Sequence, residues 1–210
     1  VGMHIFAGGF TLGIRENLDV KGHLEVGQFG VRTARQNLGI PVAVAPNPVN
    51  HGYCYVDVLY ANPPCTAFSR LGNCNYLEDS TIGYIRSWVK VALASKPLIT
   101  VWECVPQCYT KGYELVEEVA KQFEAEGYQC TVLFIDANQC GAPQLRSRYH
   151  FIASKLQLDL SCPPQEQWGG TVSQALVGVT PEVPVEKLKV RPGFDWFRNY
   201  AMAGIALRKV

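Results

Sequence analysis

The feature that most narrows the fold of this chain is an alternation. Short apolar runs, each closed by glycine or proline, take turns with stretches of helical period. Residues 98–103 are the clearest run: apolar, too short for a helix, and stopped by Pro106. Before it, Ile82, Ile85, Trp88, Val89, Ala92 and Leu93 recur at helical spacing, so residues 81–95 read as a helix. After it, Leu115, Val116, Val119, Ala120 and Phe123 line one face of a helix over 113–126. Its other face carries Glu114, Glu117, Glu118, Lys121 and Glu124, and Gly127 ends it.

The same grammar extends both ways. Residues 4–6 read as a strand running into the turn Ala7-Gly8-Gly9-Phe10, and 10–17 open a helix. Residues 22–25 end a second strand, 29–38 form a helix closed by Gly39, and 42–44 make a third strand. A fourth strand over 56–61 stops at Asn62-Pro63-Pro64. Residues 131–137 and 149–153 are two more, with Gly141-Ala142-Pro143 between them. This order predicts an α/β fold of Rossmann-like type, a mostly parallel sheet with helices on both faces. The last two strands pair as an antiparallel edge hairpin. After Ser154 the pattern weakens and prolines accumulate, until Trp196 to Leu207 looks helical again. The domain reading is therefore a core over 1–154 and a short C-terminal extension over 155–210.

Composition sets limits on function. Apolar residues make up 48% of the 210, enough for one sizeable core. With 19 basic and 18 acidic residues, the net charge of +1 excludes a globally basic nucleic-acid binder, so any grip on an anionic partner is local. No run of about 18 apolar residues suggests a membrane span, and the first residues lack a signal-peptide plan. Eight cysteines without a Cys-x-x-Cys pair are expected to be reduced in an intracellular protein. Cys104 with Cys108, and His51 with Cys54, come nearest to a ligand pair, but neither has a partner pair at zinc spacing, so no metal is expected.

Ligands in such sheets bind outside the carboxyl ends of the strands. There the sequence places a glycine turn after strand one, Glu25 after strand two, Pro63-Pro64-Cys65 after strand four, Glu103 after strand five, and Gln144-Leu145-Arg146-Ser147-Arg148 in the final hairpin. Each alone has an ordinary reading: a tight turn, a buried small thiol, solvated charge. Together they bring a thiol, a carboxylate and two guanidiniums to one edge. A glycine turn with an acid at the next strand end suits a nucleoside cofactor, since backbone can approach the ligand and a carboxylate can accept from ribose hydroxyls.

These segments resemble, in order and spacing, the DNA cytosine-5 methyltransferase family. Phe6 to Gly13 matches its Phe-x-Gly-x-Gly-type turn, and Glu25 its ribose-binding acid. Pro63-Pro64-Cys65-Thr66-Ala67-Phe68-Ser69 matches its Pro-Pro-Cys loop, and Glu103-Cys104-Val105-Pro106 its Glu-Asn-Val segment. Gln144 to Arg148 matches its Gln-x-Arg-x-Arg segment, and the likeness spans residues 3 to about 154.

The resemblance implies S-adenosylmethionine as cofactor, S-adenosylhomocysteine as product and cytosine in DNA as substrate. It makes Cys65 the nucleophile at carbon 6, Glu103 a protonated partner for N3 and the 4-amino group, and Arg148 with Arg146 the hold on O2. Phe6, Gly8, Gly9, Phe10, Thr11, Glu25, Asn47, Pro63 and Asn199 are the implied cofactor contacts, and Pro64, Ser69 and Gln144 the implied substrate contacts. Reaching a base within a duplex requires flipping it out of the stack.

Two departures stand out. Cys104 replaces the family's Asn, and only 56 positions follow residue 154, where the family inserts a recognition domain. The chain so reads as a minimal or truncated member, with a separate recognition subunit as a possible partner. Methylation of RNA or a nucleotide, and a non-catalytic cofactor-binding subunit, are the competing readings.

Overall fold

The computed structural model describes residues 1–5, 8–25, 27–44, 56–69, 75–158 and 177. Phe6, Asn47, Asn199 and the helix expected over 196–207 lie outside them. By its internal contacts the chain divides into two units, Val1–Gly169 and Gly170–Val210.

The first unit holds a seven-stranded sheet. Its strands are β1 (Gly2–Met3), β2 (His23–Glu25), β3 (Val42–Val44), β4 (Val58–Ala61), β5 (Ile99–Cys104), β6 (Gln129–Asp136) and β7 (Ser147–Ser154). Their order in space is β3-β2-β1-β4-β5-β7-β6. Strands β1 to β5 run parallel, while β7 lies antiparallel between β5 and β6. The expected hairpin is thus present, with β6 as the outer strand. Strand order reverses between β1 and β4, the crevice where ligands settle in open sheets.

The helices are α1 (Gly9–Ile14), α2 (Gln28–Leu38), α3 (Ile82–Ser95), α4 (Gln107–Lys111) and α5 (Tyr113–Ala125). Ile82, Ile85, Trp88, Val89 and Ala92 of α3 are buried, as are Leu115, Val116, Val119 and Phe123 of α5. These are the faces that helical spacing marked. Helix α4 was not anticipated; Pro106, after which β5 does not continue, takes a helical φ of −56° and caps it.

Trp88 is the centre of the main core. Its ring stands 5.9 Å from Trp102 and 5.4 Å from Phe123, and its indole N–H donates to Thr100 Oγ1 at 3.1 Å. Trp102 and Phe151 sit opposite each other in the β5–β7 ladder, so both point to the α3 face. Residues one step along, Glu103 and His150, therefore point to the other face. There Phe10 of α1 lies 5.3 Å from the Tyr60 ring and 6.5 Å from His150.

Strand β1 ends at Met3, earlier than residues 4–6 suggested. His4 takes a left-handed φ of +56°, and the Ile5 amide leaves the ladder to donate to Glu25 Oε1 at 2.6 Å. Gly8 follows at φ +93° as the N-cap of α1. A Cβ there would come within 2.8 Å of Leu38, so both conformation and space demand glycine.

Candidate active site

Three side chains named from the sequence converge at the carboxyl edge of the sheet. Cys65 follows β4 through Pro63 and Pro64, whose rings stiffen the chain. Its carbonyl accepts from the Phe68 amide at 3.1 Å and the Ser69 amide at 2.8 Å, closing a tight turn. Ala67 and Phe68 are buried, which anchors that turn from below. A Cβ on Gly112 would come within 2.5 Å of the Phe68 ring, so the glycine leaves room for the anchor.

Glu103 occupies the penultimate position of β5 and Arg148 the second position of β7. Glu103 pairs directly with His150, and Arg148 stands two residues further along the same face. That diagonal is within reach of long side chains. Arg148 Nε donates to Glu103 Oε1 at 2.7 Å, with the two side chains 21% and 11% exposed. Arg148 Nη1 also donates to the Ser147 carbonyl at 2.8 Å. The hairpin loop is braced by amide bonds from Ala137 to the Arg146 carbonyl and from Ala142 to the Ala137 carbonyl, both 2.9 Å. Ser147 bonds Asp136 across its base.

The electrostatics set these groups apart. Burial raises the Glu103 carboxyl above its ordinary range, and it does so against the opposing pull of Arg148 and Arg146. An ion pair alone would lower it; here desolvation outweighs the pair. Burial and the neighbouring Cys104 raise the half-buried Cys65 thiol, while Arg148 draws it down. Cys65, Glu103, Arg148 and Cys104 therefore share one electrostatic neighbourhood. Cys104 is fully buried on the core face beside Cys108, whose thiol burial pushes far up. All three thiols are free. Among the described residues no group of three or more His, Cys, Asp or Glu side chains is arranged to hold a metal ion, and no helix is long and apolar enough to cross a membrane.

The expected cofactor residues lie along β1 and β2. Gly8 is buried, whereas a Cβ on Gly9 would meet nothing within 4 Å, so open space fronts that turn. Glu25 is 3% exposed at the end of β2 and binds the Ile5 amide. Pro63 is buried, and Phe10, Pro64 and Ser69 are half-buried. Thr11 turns inward: its hydroxyl is buried against His23 and Tyr60 and does not face the turn. Gln144 and Arg146 are exposed on the hairpin loop.

Two residues escaped the sequence reading. His150 is brought opposite Glu103 by strand register, with its Nδ1 buried and without a hydrogen-bond partner among the described residues. His4 is buried with neither ring nitrogen bonded among the described residues, its ring edge-on to Tyr84 at 5.4 Å. The sequence already put residue 150 on a strand, but only the register of β7 against β5 sets its face.

Residues 7–187 match the model of the family described as C-5 cytosine-specific DNA methylase. The chain is 31% identical over 125 residues to the Type II methyltransferase M1.HphI of Haemophilus parahaemolyticus, covering 58% of this chain and 34% of that protein. It is 27% identical over 155 residues to M.AplI of Arthrospira platensis, covering 72% of this chain and 44% of that one. Its fold superposes on a solved protein described as a DNA modification methyltransferase encoded within a prophage of E. coli. That match has a TM-score of 0.68 and 25% identity, over 87% of this chain and 55% of the other. The Entamoeba histolytica methyltransferase EhMeth shares the fold at a TM-score of 0.63 and 16% identity, over 88% of this chain and 62% of that one. The chain thus spans about a third to under half the length of these two curated relatives.

Proposed function

The chain belongs to the C-5 cytosine-specific DNA methylase family, and from that premise we propose that it methylates carbon 5 of cytosine in DNA through a covalent adduct on Cys65. The observation that supports this most is the meeting of Cys65, a buried Glu103 with a raised carboxyl, and Arg148 at one sheet edge.

The chemistry follows from those properties. Carbon 5 of cytosine is a weak nucleophile until a thiolate adds to carbon 6. The Cys65 proton leaves to solvent as its sulfur forms that bond, and electron density moves toward N3. Glu103, whose carboxyl pKa burial raises, donates a proton to N3 and becomes a carboxylate beside Arg148. Arg148, with Arg146 on the rim, steadies O2 and the charge that develops. S-adenosylmethionine supplies the electrophilic methyl group. Loss of the carbon 5 proton to a base then restores the ring double bond and expels the Cys65 sulfur, while N3 returns its proton to Glu103.

The glycine turn fits such a cofactor. Gly8 is left-handed, open space fronts Gly9, and Glu25 stands at the next strand end with its carboxylate turned toward the Ile5 amide. Phe6 and Asn47, outside the described residues, and the buried Pro63 complete the proposed contact set within the first unit. Pro64, Ser69 and Gln144 would border the substrate. In this reading residues 1–154 carry the chemistry, residues 155–210 extend it, and an intracellular setting and a separate recognition subunit accompany it.

Labelled methyl from S-adenosylmethionine, offered to DNA, RNA and free cytidine nucleotides, tests this directly. DNA takes the label, and Cys65→Ala abolishes it. Preferential labelling of RNA or nucleotide overturns the substrate class. DNA containing 5-fluorocytosine traps a stable adduct on Cys65. Methyl transfer without that adduct overturns the covalent route, and cofactor binding with no transfer to any acceptor overturns the enzyme.

A further inference from the structure

Below the glycine turn lies a polar cluster that the reaction does not touch. Thr11 Oγ1 of α1 stands 2.6 Å from His23 Nε2 of β2 and 2.8 Å from the Tyr60 hydroxyl of β4. The His23 ring nitrogen and the Tyr60 hydroxyl are themselves 3.1 Å apart. Thr11 and Tyr60 are each 1% exposed and His23 is wholly buried. Three polar groups in a dry interior are costly unless they satisfy one another. Here Tyr60 O–H can donate to Thr11, and Thr11 O–H can donate to an unprotonated His23 Nε2. Burial, which lowers the His23 pKa to about 4, keeps that ring neutral.

The strand between them is shaped for this contact. Gly2 of β1 pairs with His23 on one side and Tyr60 on the other. A Cβ on Gly2 would come within 2.6 Å of the His23 ring and 2.9 Å of the Tyr60 ring. The two side chains meet across β1 because its middle residue has none.

Helix α1 needs such an anchor. It has six residues and no side-chain bond at its N-cap. A helix that short does not hold itself, so tertiary contacts decide where it stands. Thr11 contributes its only buried side chain. Phe10, next to it, leans on the ring of the same Tyr60. The cluster therefore fixes both the depth and the rotation of the segment that begins at Gly8.

We propose that Thr11, His23 and Tyr60 form a positioning clasp that sets the glycine turn for S-adenosylmethionine and so governs cofactor affinity. Thr11 acts through α1 rather than by touching the ligand. The inference rests on the methyltransferase reading above.

Calorimetry of S-adenosylmethionine binding to the full chain tests it with three variants. Thr11→Val keeps the shape and removes the hydroxyl; it weakens binding about tenfold, the scale of one lost buried hydrogen bond. Thr11→Ser keeps the hydroxyl and restores affinity to within about twofold. Tyr60→Phe keeps the ring against Phe10 and loses one arm of the clasp. Its KM for the cofactor rises several-fold, while turnover at saturating cofactor stays within about twofold. Tyr60→Phe also carries the test if Thr11→Val does not fold. Wild-type affinity in Thr11→Val, or equal losses in Thr11→Ser and Thr11→Val, overturns the clasp alone. Failure of the wild-type chain to bind S-adenosylmethionine overturns the underlying reading and the clasp with it.

Discussion

Replacing Arg148 with Met removes the cation at 2.7 Å from Glu103 and leaves a carboxyl that is 8% exposed with burial unopposed at close range. Arg148 heads the influences that hold the Glu103 pKa down, so its loss sends that pKa further up. The sign for stability follows. A carboxyl raised in the folded state favours folding while it is protonated. That contribution is complete below the unfolded pKa near 4.5 and is lost as pH rises through the folded value. In the variant the folded value is higher, so the loss is larger. Measured by urea unfolding from pH 4 to 9, the two proteins differ little in slope at the acid end. Their stabilities then separate as pH rises through the folded values, the variant losing more. The same shift moves the alkaline limb of any residual turnover to higher pH. A stability gap that is constant with pH, or that closes as pH rises, refutes the reasoning: Arg148 would then not be what holds the Glu103 pKa down.

The other expectations concern parts of the fold that serve this edge. Gly8→Ala places a Cβ 2.8 Å from Leu38 at φ +93°; it costs at least about 1 kcal/mol in thermal or urea unfolding and weakens S-adenosylmethionine binding. Trp88→Ala empties the centre of the core and destabilises by about 3–5 kcal/mol, read as a drop in urea midpoint without a change in m-value. Tyr128→Phe removes the hydroxyl that donates to the Pro97 carbonyl at 2.7 Å and costs roughly 1 kcal/mol, leaving methyl transfer as it was.

The elements that could be read in advance are those whose pattern is local. Helices α3 and α5 declare themselves by apolar spacing, and β5 by a run that Pro97 and Pro106 leave no room to extend. The approach of Cys65 and Glu103 follows from parallel strands that deliver their carboxyl ends to one edge, and Arg148 reaches the same edge because β7 is antiparallel and starts there. What stayed hidden depends on partners far along the chain. The departure of His4 from β1 is tied to Glu25, and the inward turn of Thr11 to His23 and Tyr60. No spacing within residues 1–15 encodes either. The facing of His150 and Glu103 depends on the register of β7 against β5, where a slip of one residue would reverse it.

Strand β7 also decides how later residues gain access to the chemistry. Because it runs against β5, its first residues lie at the reactive rim and its last, Ser154, lies beside Ile99 at the opposite end. From Cys104 back to Ile99 is five steps of strand, about 17 Å. Any segment after Ser154 that meets the substrate has first to climb that distance, so five or more extended residues are spent on the return alone. The junction after Ser154 is correspondingly set apart from the rim that holds Glu103 and Arg148, so a change of sequence at that junction leaves their pairing in place.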